Sequence, residues 1–201
     1  MKALYSIFIA AVAAAALLLP LSANAAYTAY IYESGGNVVA SGSGSLNLAG
    51  AVAAGGGATV AFVAPSNGLL HTGTAGAVAL YNNIVGPAAF GPGPIAPASS
   101  SAGHLVGIRG VLAEFFVPVG YVSGAPLASS AVWNATTIAA LGITPGTYVW
   151  TWAGDTFTVN VGVPPPGLAP ASVPALSGGG LGALALLLML IARGSLRARR
   201  R

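Results

Sequence analysis

Between residues 26 and 176 the chain offers acid–base chemistry only three carboxylates, Glu33, Glu114 and Asp155, two histidines, His71 and His104, and one cation, Arg109. A glycosidase would need two of those carboxylates about 5–9.5 Å apart across a cleft. Asp155 reads as a hairpin-turn residue and Glu33 stands beside the turn Ser34-Gly35-Gly36-Asn37, so structural roles account for both. Arg109 and Glu114 are close in sequence and are expected to form a surface or strand-edge ion pair. His71 and His104 lie beside loop-like segments and are expected to be solvated. Two histidines without a third ligand do not make a zinc site. No G-x-S-x-G elbow occurs, and Gly55-Gly56-Gly57 lacks the Lys-Ser/Thr of a phosphate loop. Neither a catalytic residue nor a cofactor or metal site is expected, and so no enzyme activity.

Aromatic residues carry the other candidate chemistry. Trp133, Trp150 and Trp152 with Tyr121 and Tyr148 are the material of a sugar-stacking platform. Tyr148, Trp150 and Trp152 alternate along one strand and are expected in the core. Tyr121 and Trp133 stand beside loops, where binding groups concentrate, and are the candidate glycan contacts. Asn134-Ala135-Thr136 fits the glycosylation triplet but is read as a chance occurrence.

The elements that must hold these residues are read from pattern. Of the 201 residues 29 are glycine and 14 proline, and none is cysteine, which excludes a disulfide framework and thiol or zinc-thiolate chemistry. Arg109 against three carboxylates leaves residues 26–176 at −2, although the whole chain carries +4. Nucleic-acid binding by this region therefore has no electrostatic footing. Low charge with ample hydrophobicity argues for a folded, turn-rich domain, here an all-β antiparallel sandwich.

Strands are expected at Tyr27–Tyr32 and Val38–Leu48, at Ala58–Ala64 before the turn Pro65-Ser66-Asn67-Gly68, and at Ala77–Tyr81. Further strands are expected at Leu105–Val111 and Phe115–Val117. Gly86–Ser101, with four prolines, and Tyr121–Ser130 read as loops; Ala131–Trp133 pairs briefly and Thr137–Leu141 is a turn or edge piece. Thr147–Ala153 and Thr156–Val161 form a hairpin about Gly154-Asp155, read as a type II′ turn. That register sets Trp152 against Phe157, Trp150 against Val159 and Tyr148 against Val161, all on one face.

The two ends of the chain carry an address. Lys2, the apolar run Leu4–Leu19 and Ala23-Asn24-Ala25 have the layout of a signal peptide cut before Ala26 by signal peptidase. Near the other end, an apolar run from Leu181 to Ala192 is followed by Arg193, Arg197, Arg199, Arg200 and Arg201. Twelve helical residues reach about 18 Å, short of a hydrocarbon core of about 30 Å. Reading back to Val173 through the three glycines reaches a span, as one marginal transmembrane helix with its arginine tail cytoplasmic. The expected organisation is a signal peptide at 1–25, the β-sandwich at 26–163, a Pro-rich linker at 164–172, and sorting motif, membrane helix and basic tail at 173–201.

Val173-Pro174-Ala175-Leu176-Ser177 followed by Gly178-Gly179-Gly180, an apolar run and arginines resembles the C-terminal sorting domains of bacterial surface proteins. The motif resembles the IPTL-CTERM class with Val173 and Ala175 in place of Ile and Thr; the triple glycine is similar to GlyGly-CTERM and the layout to PEP-CTERM. The segments Glu33–Gly36, Gly42–Leu46, Pro118–Leu127 and Leu141–Trp152 resemble a family of PEP-CTERM secreted proteins across most of the region. The resemblance implies processing near the motif by an exosortase- or rhombosortase-type enzyme, and a place in the cell envelope or the extracellular polysaccharide matrix. A structural or adhesive role there is the expected function, with a surface carbohydrate-binding module as the alternative.

Overall fold

The structure, a computed structural model, describes residues 26–167. The expected signal peptide, the sorting motif, the membrane segment and the arginine tail lie outside those residues. A boundary between two compact units falls after Pro165, and all strands below belong to the first unit. Among the described residues no helix is long and apolar enough to cross a membrane.

Thirteen strands are described: β1 Ala26–Ser34, β2 Asn37–Ser45, β3 Val52–Thr59, β4 Phe62–Ala64, β5 Leu69–Thr72, β6 Gly76–Asn82, β7 Ala96–Pro97, β8 Ser100–Gly103, β9 Val106–Arg109, β10 Glu114–Pro118, β11 Pro126–Trp133, β12 Gly146–Trp152 and β13 Asp155–Val161. They form a six-stranded sheet, β12-β13-β1-β2-β11-β8, and a seven-stranded sheet, β3-β6-β10-β9-β5-β4-β7. The inward faces of both close on one core containing Tyr27, Ile31, Trp150 and Phe157 from the first sheet and Val63, Leu70, Ile108 and Phe115 from the second. Phe115 stacks on Trp152 across the layers, with ring centroids 4.5 Å apart. The class is all-β as expected. The pairing is not wholly antiparallel, because β1 runs parallel to β13.

The hairpin of β1 and β2 forms where the sequence places it. Gly35 and Gly36 both take positive φ, 59° and 78°, as a two-residue turn matched to strand twist requires. The last hairpin differs from the expected one. Its connection is Ala153-Gly154, and the pairs are Trp152 with Asp155, Trp150 with Phe157 and Tyr148 with Val159. The slip is two residues, so every side chain keeps its expected face. Neither Ala153 nor Gly154 has a positive φ, so the turn is not type II′. Gly154 is there for room: a Cβ would overlap the Ala49 carbonyl. Asp155 is drawn into the strand because its carboxylate accepts the Asn47 and Thr156 amides, both at 2.7 Å.

Five strands escape the sequence pattern: β7 and β8 fall in or across the end of the expected Gly86–Ser101 loop, β3, β5 and β11 are the others, and the expected strand Ala58–Ala64 is split at Val60-Ala61 between β3 and β4. β11 buries Leu127, Ser129, Ala131 and Trp133 on alternate positions, but two of the four are too small or polar to signal a core. In β3, glycines dilute the β signal and the residues from Val52 to Ala58 are all exposed. β5 is only four residues long. The proline-rich stretch from Gly86 is largely loop, yet Phe90 inside it is buried.

Tyr27 lies across Gly42, where a Cβ would overlap the phenol oxygen. Gly42→Ala should therefore destabilise the domain by roughly 1–3 kcal/mol through overpacking. Gly57 has no atom within 4 Å of a built Cβ and no positive φ, so Gly57→Ala should be neutral or stabilising by up to about 1 kcal/mol. Urea unfolding followed by tryptophan fluorescence reads both.

Candidate functional site

Alternation along β5 sends Leu70 into the core and His71 to the opposite face of the seven-stranded sheet. Pairing places His71 beside Phe62 of β4 and Gly107 of β9, and Phe116 of β10 beside Gly107 and Leu80 of β6. One row therefore runs Phe62, His71, Gly107, Phe116, Leu80 across five strands. Gly107 leaves a gap that the Phe116 ring fills; a Cβ there would overlap that ring. Phe116 consequently reaches His71, edge-on with centroids 4.5 Å apart, while the Phe62 ring centroid lies 4.0 Å away on the other side.

Thr59, on β3, hydrogen-bonds His71 Nδ1 at 3.0 Å. In strand order β6, β10 and β9 stand between those two strands, so the sheet curls over this face. Only Val60 and Ala61 join β3 to β4, which brings the curl about. It encloses a cavity of about 160 Å³ lined by Gly57, Thr59, Phe62, His71, Arg109 and Phe116. Arg109 and Glu114 pair across β9 and β10 at 3.1 Å, each about a quarter exposed. The expected ion pair is present.

His71 is 3% exposed, against the expectation of a solvated loop histidine. Burial lowers its pKa to about 3, the Arg109 charge adds to the shift, and the Val60 backbone opposes it. The ring is neutral at physiological pH. Thr59 and His71 stand in the contact that a hydroxyl nucleophile and its base would make. The third group of such a set, an acceptor orienting the far ring nitrogen, is not in place: His71 Nε2 and Arg109 Nε both lack a protein partner.

The remaining candidates are dispersed. His104 is exposed just after β8 of the other sheet, where its Nδ1 accepts the Ala128 amide at 3.1 Å. Glu33 accepts the Ile138 amide at 2.8 Å. It lies at the end of β1, next to the last residue, whereas Asp155 begins the parallel neighbour β13, so these two carboxylates occupy opposite ends of one sheet. Asp155 is buried, not a turn residue on the surface, and burial raises its pKa against the two amides that lower it. No three His, Asp or Glu side chains among the described residues come together as a metal site would need.

The two candidate glycan contacts do not form a platform. Trp133 is 3% exposed, with its ring in the core and its indole N–H donated to the Ala96 carbonyl at 3.0 Å. Tyr121 is half-buried; its hydroxyl accepts the Leu46 amide at 2.9 Å and donates to the Ala125 carbonyl at 2.7 Å. Trp150 and Trp152 likewise donate to backbone carbonyls, of Pro87 and Asn47. A second, larger groove of about 390 Å³ runs between Tyr32, Ile138, Ile143, Pro145 and Pro164.

His71, like Asp155, lies deeper than its sequence neighbours suggest. The available signal was a short Leu69–Thr72 run bounded by Gly68 and Gly73, a strand fragment between two turn residues.

Comparison with known proteins finds no matching family model, no matching curated protein and no matching solved structure.

Because the folded His71 pKa lies below its unfolded value near 6.5, the unfolded chain binds the extra proton first as pH falls. The stability is full above about pH 6.5 and is lost toward pH 3, with a limiting slope of about 1.4 kcal/mol per pH unit. Asp155, whose pKa is raised, acts in the opposite sense, adding stability at low pH and losing it as pH rises. His71→Asn should remove the histidine component alone, read from urea midpoints between pH 7 and pH 4.

Proposed function

We propose that this chain is an exported protein of the bacterial cell envelope or extracellular polysaccharide matrix, with a structural or adhesive role. The observation that carries the reading is the cluster of five arginines directly behind the Leu181–Ala192 apolar run, the pattern that halts a translocated chain with its basic end inside. The Ala23-Asn24-Ala25 site at the other end agrees with it. In this reading Pro164-Pro165-Pro166 begins a stiff spacer, and Val173–Ser177 is the motif at which an exosortase- or rhombosortase-type enzyme acts. The β-domain is the part displayed, and exopolysaccharide its surrounding.

The side chains within the domain support a role without turnover. Glu33, Asp155, Tyr121 and all three tryptophans are spent on backbone hydrogen bonds that hold loops to sheets. With few charges, the surface relies on hydroxyl and amide groups for solvation.

Mass spectrometry of the protein purified from membrane and extracellular fractions tests the reading. The expected mature chain begins at Ala26, and its other end is either the intact arginine tail in the membrane fraction or a new terminus near Val173. Full-length protein with Met1 retained, dissolved in the cytosol, would overturn it.

A further inference from the structure

Buried polar atoms almost always find a hydrogen-bond partner, and an exception needs a reason. Among the described residues three side-chain atoms are buried without one: Ser41 Oγ, His71 Nε2 and Arg109 Nε. The last two belong to residues that line one space, the cavity of about 160 Å³ under the curl of the seven-stranded sheet. His71 pairs with Gly107 and Leu69 with Arg109, so His71 and Arg109 stand diagonally on one face of β5 and β9. Long side chains still reach each other at that spacing, yet these two atoms do not bond.

The Thr59 hydroxyl decides which atom accepts and which donates. It gives its one proton to the Val60 carbonyl at 3.4 Å, so toward His71 Nδ1, at 3.0 Å, it is the acceptor. The Val60 backbone also bonds the ring in the sense that favours the ring's proton. Nδ1 therefore carries the hydrogen and Nε2 presents a bare lone pair, while Arg109 Nε–H can only donate. The ring is neutral through burial, and Glu114 offsets the Arg109 charge at 3.1 Å. No net charge is left to draw an ion. Phe62, Phe116, Val78 and Leu80 supply apolar walls.

We propose that this cavity binds a small uncharged molecule with one hydroxyl on a benzene-sized apolar body, the hydroxyl donating to His71 Nε2 and accepting from Arg109 Nε–H. Size sets the body: a cavity of about 150 Å³ lined by aliphatic and phenyl side chains takes up benzene. Water fits these walls less well. There is room for several molecules, each wanting more than one polar partner, and only two unpaired side-chain atoms to serve them. Entry is from the β3 side. Gly57 is exposed and pairs with Val78, so both face the cavity, and a Cβ built at Gly57 meets no atom within 4 Å. None of this depends on where the chain is sent.

The full chain has two histidines, so NMR of isotope-labelled imidazole nitrogens shows His71 beside an exposed internal reference, His104. Phenol and benzene, added at neutral pH, are the probes. Before addition, His71 Nε2 should resonate as an unprotonated ring nitrogen. Phenol should move that signal toward its hydrogen-bonded position and saturate at one molecule per chain, with His104 unmoved. Benzene, which lacks the hydroxyl, should bind about tenfold more weakly, the effect of two net hydrogen bonds. Gly57→Leu should fill the entrance and abolish the phenol shift, both histidine signals keeping their folded positions. The comparison of the two probes on the unaltered chain stands whether or not that variant folds. A proton on Nε2 in the free protein, no saturable shift with phenol, equal binding of benzene, or a shift that survives Gly57→Leu would each overturn the proposal.

Discussion

Three hydroxyls in the dry space between the sheets constrain everything around them. Tyr27 of β1, Ser129 of β11 and Thr72 of β5 are joined by two 2.6 Å hydrogen bonds, and Thr72 donates onward to the Val106 carbonyl at 3.3 Å. One proton order satisfies the set: Tyr27 to Ser129, Ser129 to Thr72, Thr72 to the carbonyl. A buried hydroxyl left without a partner costs about 1–3 kcal/mol, so the layers must meet where these three meet. Burial pushes the Tyr27 pKa up to about 12, against the two hydrogen bonds that lower it; the phenol is a fixed donor. Gly42 supplies the space for that phenol, and a one-residue slip of β1 would turn Tyr27 out to solvent.

The seven-stranded sheet is held differently. Its far face has its own small cluster of Val78, Leu105 and Phe116, and the curl from β3 into β4 folds Thr59 over His71. The imidazole there acts as a flat, neutral spacer between two phenyl rings, with one nitrogen tied to a hydroxyl. Its neutrality follows from burial and from Arg109 nearby, while Glu114 holds Arg109 in place. The only ion pair among the described residues thus borders the most perturbed titratable group in the domain.

Large side chains on regular alternation were legible from sequence. Tyr27–Tyr32 announced its strand and, through paired glycines at 35 and 36, one turn; Trp150 and Trp152 with Phe157 and Val159 announced their strands and a shared face. Positions where smallness does the structural job were not. Ser129 and Ala131 are core residues of β11 that look like loop, and Gly107 matters through the Phe116 ring it admits. The last turn lies one residue earlier than expected, shifting the pairing by two, because Asp155 looks like turn chemistry until its distant partner, the Asn47 amide, is known. His71 was misjudged for the same reason: its neighbours Phe62, Thr59 and Phe116 come from three other strands. Trp133 turns into the core and Tyr121 only partly so; flanking loops do not say which way an aromatic ring points.

The parallel pairing of β1 with β13 ties the first described strand of the domain to the last. Ala26 to Ile31 align with Thr156 to Val161, while the antiparallel partner on the other side, β2, follows at once in the chain. The outer edge of β1 is therefore closed by residues that lie more than a hundred positions later in the sequence, near the far end of the described domain.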